Sequence, residues 1–390
     1  MSAAEANSPL PALGDVLVAA AAGAERGGGS APELAAARLQ LPAARTWCVV
    51  MVDGLGWHNL TGASTDAPFL TSALAAHDVP DGPASRLLAS LPTSTATNVT
   101  YLGTGLRGGR TGMLGYTVRN PATGGLLNLI SWKGGADPHQ WQREDTVFEQ
   151  MAAAGRTAVS VGPWQFEDSG LTRAALRGAE YHPAQSLPQR VDAALSALRD
   201  PGVDLVYLYW GELDSQGHQH GWKSAQWREA LRTLDDELQR LARLLPVGTG
   251  MLVTADHGMV DIPATDLRGM AGRIDAATHP ELTREVDLIG GEPRFCHLYT
   301  REPEAVAQRW RAVLAERAKI LTRNEAIAAD FFGPVADHTT ELIGDVVVAA
   351  QGQVAIQDSA QQSTESLQLV GMHGSTTPAE QDVPLVVVNG

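Results

Sequence analysis

From Thr46 onward, apolar runs of strand length alternate with amphipathic runs of helix length. The strand-like runs are 46–52, 157–161, 203–210 and 250–254; the helix-like runs cover roughly 66–77, 143–154, 186–199 and 224–244. In the last of these, Trp227, Leu231, Leu234, Leu238, Leu241 and Leu245 recur at helical spacing, as in a helix that covers a sheet. Strands alternating with helices of this length predict an α/β fold whose central sheet is mostly parallel, with helices on both faces. In such sheets the loops that carry chemistry leave the carboxyl ends of the strands.

After Pro263 the rhythm changes. Residues 264–284 are irregular and polar, 294–300 read as a strand, 303–317 as a helix and 345–357 as a strand or hairpin. The apolar stretch 383–388 then returns to the core pattern. The expected organisation is a catalytic core of 1–262 and 366–390 interrupted by a smaller α+β subdomain at 263–365, with no further domain after the last strand signal. The Gly-rich segment 23–33 reads as a flexible connection between a leading helix and the first core strand.

Composition narrows the function classes. With 390 residues, 44% of them hydrophobic, the chain can build a sizeable core. A net charge of −15 argues against a nucleic-acid scaffold that works by neutralising phosphates. It leaves room for a small anionic substrate, because bound cations reverse the local sign. Cys48 and Cys296 sit in separate apolar runs and read as core residues. The N-terminus lacks a basic leader and no apolar run reaches spanning length, so no membrane partner and a cytoplasmic location are expected.

The chemistry lies at the ends of the apolar runs. Asp53 ends the first, Asp214 and His218 follow the third, and Asp256 with His257 follow the fourth; His373 arrives late, between Gly371 and Gly374. Carboxylate and imidazole together suit a borderline metal such as zinc. Gly217 and Gly221 favour a tight loop for Asp214 and His218, with His220 exposed or peripheral, and Gly258 is expected to permit the turn that brings Asp256 and His257 onto one metal. In PTSTATN at 92–98, Pro92 and the Ser/Thr cluster read as a helix start carrying a hydroxyl nucleophile. Thr95 is the expected nucleophile, with Thr93, Ser94 and Thr97 as competitors. Asn98, one turn on, could offer its amide to a phosphoryl oxygen. Asp53-Gly54-Leu55-Gly56 lacks the third glycine of a dinucleotide loop.

Taken jointly, VDGLG at 52–56, PTSTATN at 92–98, YWGELDSQGHQHG at 209–221, TADHGM at 254–259 and MHGS at 372–375 resemble the nucleotide pyrophosphatase/phosphodiesterase (type I phosphodiesterase) branch of the alkaline phosphatase superfamily. The resemblance implies an alkaline phosphatase-like core, two divalent metals, Zn²⁺ first with Mn²⁺ or Fe as alternatives, and a covalent phosphothreonine. It implies one metal on Asp214, His218 and His373 and the other on Asp53, Asp256, His257 and the Thr95 oxygen. Relatives usually carry an aromatic residue or proline between nucleophile and asparagine, where this chain has Ala96 and Thr97.

No Arg follows Thr95 until Arg107, which favours a phosphodiester or pyrophosphate over a dianionic monoester unless Arg110, Arg119 or Lys133 folds back. The Cys/Ser-x-Pro-x-Arg frame of sulfatases is absent at the nucleophile, and the phosphoglycerate mutase relatives use a serine. The expected substrate is a small phosphate ester of nucleotide type; Tyr116, ahead of Trp132, Trp141 and Trp164, is the first choice for a stacking contact. A phosphomonoesterase or a non-catalytic binding module on the same fold are the alternatives, and the oligomeric state is open.

Overall fold

The computed structural model describes residues 10–22, 31–77, 85–263 and 272–389. The Gly-rich connection at 23–30 and the polar residues 264–271 lie outside them.

A six-stranded sheet forms the centre. In chain order its strands are β1 (Thr46–Val52), β2 (Ala158–Gly162), β3 (Glu180–Pro183), β4 (Leu205–Trp210), β5 (Thr249–Thr254) and, as its last edge, β10 (Val386–Asn389). The order across the sheet is β10-β5-β1-β4-β2-β3, and every pairing is parallel except β10 with β5. β1 lies in the interior of the sheet and all seven of its residues are buried, which is why it reads as an unbroken apolar run. Val49, Val50 and Met51 have no exposed surface; each such side chain contributes about 1.5–3 kcal/mol on burial.

The helices that position the site are α1 (Pro68–His77), α2 (Thr95–Thr104), α3 (Val147–Ala153), α4 (Leu187–Arg199), α5 (Glu212–His220) and α6 (Ala225–Arg243). Helix α3 begins at Thr146, whose hydroxyl accepts from the Glu149 amide while Glu149 caps it in return. The predicted stripe of α6 is buried at Trp227, Leu231, Leu234, Leu238 and Leu241. Asp235 lies on the same buried face because it caps a neighbour: its oxygens accept from the Phe69 and Leu70 amides at 3.0 and 2.8 Å, at the N-terminus of α1.

A second, four-stranded antiparallel sheet contains β6 (Leu288–Glu292), β7 (Phe295–Tyr299), β8 (Ala318–Thr322) and β9 (Val346–Ala350), ordered β6-β7-β9-β8. Helix α7 (Pro303–Leu314) packs on it through Val306, Ala307, Trp310 and Leu314. The run 345–357 is neither one strand nor a hairpin. Gly352 turns the chain at φ +57°, and Ala355–Gln357 leaves to pair in parallel with Arg273–Asp275. Strands β3, β6 and β8 carry no clear alternation in sequence: β3 is a half-exposed edge and β6 contains Gly290 and Gly291. Cys48 and Cys296 are buried free thiols, and burial pushes each up to about 12. None of the described helices is long and apolar enough to cross a membrane.

Candidate active site

Parallel register brings the strand ends together. Val52 is level with Trp210, and Met51 with Thr254, so Asp53, the start of α5 and Asp256 leave the sheet side by side. The Asp53 amide donates to the Trp210 carbonyl at 2.8 Å, and the Gly54 amide to Asp256 Oδ1 at 3.1 Å. His373 enters on the short strand Gly371–Met372, paired antiparallel with Val260–Asp261 just beyond His257.

Each of the three histidines has one ring nitrogen held by a backbone carbonyl. Nδ1 of His218 meets Gly371 O at 2.8 Å, Nδ1 of His373 meets Thr93 O at 2.8 Å, and Nδ1 of His257 meets Gly258 O at 3.1 Å. A carbonyl can only accept, so Nδ1 carries a proton, and in the neutral ring each Nε2 has its lone pair free for the centre of the site. His218 Nε2 and His373 Nε2 face each other at 3.3 Å, and the His257 and His373 rings stack with centroids 3.5 Å apart. Two imidazole lone pairs at that separation repel unless a proton or a cation lies between them.

The carboxylates complete two ligand sets. Asp214, His218 and His373 form one cluster, and Asp53, Asp214 and His257 form an adjoining one. Asp256 Oδ1 accepts from the Gly54 and His257 amides, while its buried Oδ2, 3.5 Å from His257 Nε2, has no hydrogen-bond partner, and neither has Oδ1 of Asp214. Orphaned carboxylate oxygens cost free energy when buried, and they fit a bound cation. Thr95, the first residue of α2, places Oγ1 3.2 Å from His257 Nε2 and 3.4 Å from Asp53 Oδ1.

The electrostatics reflect this crowding. Burial would raise the Asp53 carboxyl, but His257 and the Tyr209 phenol outweigh it and hold it below the ordinary range. Burial pushes Asp214 up to about 6 against the pull of His218, and burial with the Asp53 charge raises Asp256 well above the usual value. Burial would lower His257; Asp256 and Asp53 overcome it and push the imidazole up to about 10. Burial and the His257 charge hold His373 well below its ordinary value. Without cations, the three carboxyls and His257 must share protons to coexist.

These groups open onto a cavity of about 770 Å³. Thr95, Asp53, Asp214, His218 and His373 line it together with the apolar and aromatic Val99, Ile130, Phe166, Leu171, Tyr181 and Tyr209. Among the described residues no Lys or Arg lines it. Arg110 is paired with Glu144, and the Arg119 guanidinium lies over the Tyr299 ring at 4.6 Å.

The family profile for type I phosphodiesterase/nucleotide pyrophosphatase matches residues 47–376. The chain belongs to that family.

This type I phosphodiesterase family enzyme has curated relatives that it matches only in part. It is 30% identical over 131 residues to human ectonucleotide pyrophosphatase/phosphodiesterase family member 7, covering 31% of this chain and 29% of the relative. It is 28% identical over 154 residues to alkaline phosphatase PhoD of Zymomonas mobilis, covering 35% and 26%. The matched segments thus span less than a third of either relative's length. Its fold is similar to murine ectonucleotide pyrophosphatase/phosphodiesterase 5, with a TM-score of 0.67 at 18% identity and 88% of each chain covered. An inactive variant of that murine protein in complex with AMP superposes with a TM-score of 0.66 at 17% identity, again over 88% of each chain. Phosphonoacetate hydrolase from Sinorhizobium meliloti, in complex with phosphonoformate, gives 0.67 at 19% identity, covering 89% of this chain and 91% of that one.

Several expectations for this phosphodiesterase family member need correction. Asp214 and His218 lie one turn apart on a helix, α5, and not on a loop. Gly217 is needed for packing: a Cβ there would lie 2.3 Å from Met259 Sδ, and the helix ends only at Gly221, at φ +86°. Gly258 likewise serves close approach, since a Cβ would lie 2.1 Å from the Ala379 carbonyl oxygen. Asn98 is fully buried and does not line the cavity. Its Oδ1 accepts from the Ser90 amide at 2.7 Å, and its Nδ2 donates to the Ser90, Pro92 and Ser94 carbonyls at 3.1–3.4 Å. Both amide protons are therefore spent on the loop that leads into Thr95, leaving none for a phosphoryl oxygen.

Of the competing hydroxyls, Thr93 is spent on Ser375 O and the Gly374 amide, and Thr97 is buried away from the cavity; Ser94 lines it beside Thr95. His220 is exposed at the end of α5. Tyr116 is 46% exposed on the cavity wall. Trp141 is tied to the Gly112 carbonyl, Trp132 packs against Gly170, and Trp164, 65% exposed, lies outside the cavity. Sequence reasoning passed over Phe166, Tyr181, Tyr209 and Glu292. The first three looked like ordinary core or loop aromatics, and Glu292 has no motif around it.

Proposed function

We propose that the enzyme hydrolyses a phosphodiester or pyrophosphate bond in a small substrate of nucleotide type, using Thr95 as nucleophile. The observation that carries the reading is the position of Thr95 Oγ1, at the start of α2 and within 3.4 Å of both Asp53 and His257, on the wall of a cavity large enough for a nucleotide. Two divalent cations, Zn²⁺ by preference for an Asp/His donor set, would be held by Asp214, His218 and His373 and by Asp53, Asp256, His257 and Thr95. Such cations supply Lewis-acid stabilisation of phosphoryl charge and lower the pKa of a nearby hydroxyl.

The chain's own part is orientation. As the Thr95 proton passes to solvent, the Oγ1–P bond forms, and the bond from phosphorus to the leaving oxygen breaks with its electron pair going to that oxygen, which departs as the alcohol or phosphate. Water then cleaves the phosphothreonine and Thr95 regains its proton. The backbone carbonyls at Gly371, Thr93 and Gly258 fix the imidazoles throughout. Tyr116 and Phe166 offer aromatic faces for a base, and AMP in the murine relative's complex supports that choice. The absence of lysine and arginine from the described cavity wall favours a singly charged diester group over a monoester dianion.

Metal analysis with turnover of bis(p-nitrophenyl) phosphate against p-nitrophenyl phosphate tests the reading. Metal-dependent preference for the diester is expected. Faster monoester turnover assigns a phosphomonoesterase, and a protein that binds no metal and turns over neither overturns the proposal.

A further inference from the structure

Glu292 ends β6 and reaches the cavity that holds Thr95. The residue is 8% exposed, and its Oε1 has no hydrogen-bond partner. The side chain occupies a slot that two glycines leave open. A Cβ on Gly374, at φ +129°, would lie 2.7 Å from Glu292 Cγ, and one on Gly115, at φ +118°, would lie 3.2 Å from Oε1. Both backbone conformations are ones that side-chain-bearing residues rarely adopt.

The slot is anchored from the far side. Arg294, two residues on, is fully buried and grips Glu380 with two hydrogen bonds of 2.8 and 2.6 Å; Glu380 in turn accepts from the Ser375 amide at 3.0 Å. Arg294 is thereby spent, and among the described residues no lysine or arginine pairs with Glu292. A buried carboxyl with no lysine or arginine beside it favours its neutral form. Burial pushes Glu292 up to about 8, with the Ser94 side chain as the largest opposing influence. A neutral carboxyl has one proton to donate and, in this slot, a cavity to donate it into.

Its neighbours fix where on the substrate that proton would go. The Ser94 side chain bonds Glu292 and Ser94 precedes Thr95, so a phosphorus attacked by Thr95 would have Glu292 on the attacking side. In an in-line displacement the leaving oxygen departs from the opposite side. A donor beside the nucleophile therefore reaches an equatorial, non-bridging oxygen and not the leaving group. Asn98, the sequence-level choice for that contact, has no proton left to give.

We propose that Glu292 is a substrate-contacting catalytic residue that donates a hydrogen bond to one non-bridging oxygen of the phosphoryl group. This inference rests on the phosphodiesterase reading above and adds the residue that tells the two prochiral oxygens apart.

The test uses the metal-loaded full chain with bis(p-nitrophenyl) phosphate and the separate Rp and Sp forms of methyl p-nitrophenyl phosphorothioate. Glu292→Met keeps the volume and removes the donor; it should lower kcat by about 100-fold, as loss of a preorganised donor does, at unchanged metal content. It should also change the Rp to Sp rate ratio by about fivefold or more, whereas Glu292→Gln, which can still donate, should keep the ratio and stay within about tenfold of the parent rate. Glu292→Asp withdraws the carboxyl by one methylene and should shift the ratio in the same direction as Met; it serves should the Met variant not fold. An unchanged ratio in the Met or Asp variant of an active enzyme overturns the inference and leaves the phosphodiesterase reading intact. A metal-loaded parent enzyme with no diester turnover overturns that reading and the Glu292 assignment with it.

Discussion

The Tyr209 phenol donates to Asp53 Oδ2 at 2.5 Å, while Asp53 Oδ1 turns toward Thr95 and His257. One oxygen of the carboxylate is thus fixed by a rigid ring from the neighbouring strand, itself packed edge-on against Phe166 at 5.8 Å, and the other faces the site. Tyr209→Phe keeps the ring and removes the donor. It should weaken metal binding by about 10–100-fold, the usual effect of losing a ligand's supporting hydrogen bond. Competition against a fluorescent zinc chelator reads this directly; unchanged affinity would show that strand geometry alone orients Asp53.

Thr95→Ala should abolish turnover and leave metal content close to the parent's, because the three imidazoles and three carboxyls remain. Thr95→Ser should keep measurable activity. Intact-protein mass spectrometry after an acid quench should detect a phosphorylated parent and an unmodified Ala variant. Full activity in Thr95→Ala would move the nucleophile to Ser94, the other hydroxyl on the cavity wall.

Asn98→Ala should act chiefly on stability. It strands the Ser90 amide and several carbonyls in a dry environment, at a cost of about 2–3 kcal/mol. Denaturant melts should show the loss. A large fall in kcat/KM with no change in the melting midpoint would instead mark Asn98 as a substrate contact.

Removing the metals should make stability strongly dependent on pH. His257 has its folded pKa raised from 6.5 to about 10, so its stabilising contribution is complete below pH 6.5 and disappears as pH climbs through 10. Asp214, raised from 3.8 to about 6, adds a loss across that lower window. Metal binding has the opposite sign, because the ligands must give up their protons. The difference in Tm between zinc-loaded and chelator-treated protein should widen from pH 6.5 to pH 9. A difference that narrows over that range would mean that the acidic cluster does not govern the site.

How much of this was legible in the sequence follows from what each residue signals locally. Asp53, Asp214 and Asp256 stand at the ends of apolar runs, and a parallel sheet lines up such ends, so their meeting could be argued before any coordinates. His373 had no such marker, and its assignment to a metal came from the resemblance. The helix bearing Asp214 and His218 was hidden because glycine reads as a breaker, whereas Gly217 answers to the bulk of Met259, 42 positions away. Asn98 was misjudged because spacing shows where an amide sits and not whether its protons are already taken. Tyr209 looked like core because β4 is apolar throughout. Glu292 gave no signal, since it ends β6, a strand whose Gly290 and Gly291 leave no regular alternation to read.

The cavity wall, acidic at one end and without a fixed positive side chain, also sets an order of events. An incoming phosphate ester would meet carboxyls first, and no lysine or arginine on the described wall would offset its negative charge. Cations settling among Asp53, Asp214 and Asp256, as proposed, would reverse the sign of the local field. The protein is therefore expected to ignore its substrate when starved of metal, so that supply of the ion, and not supply of the ester, switches it on.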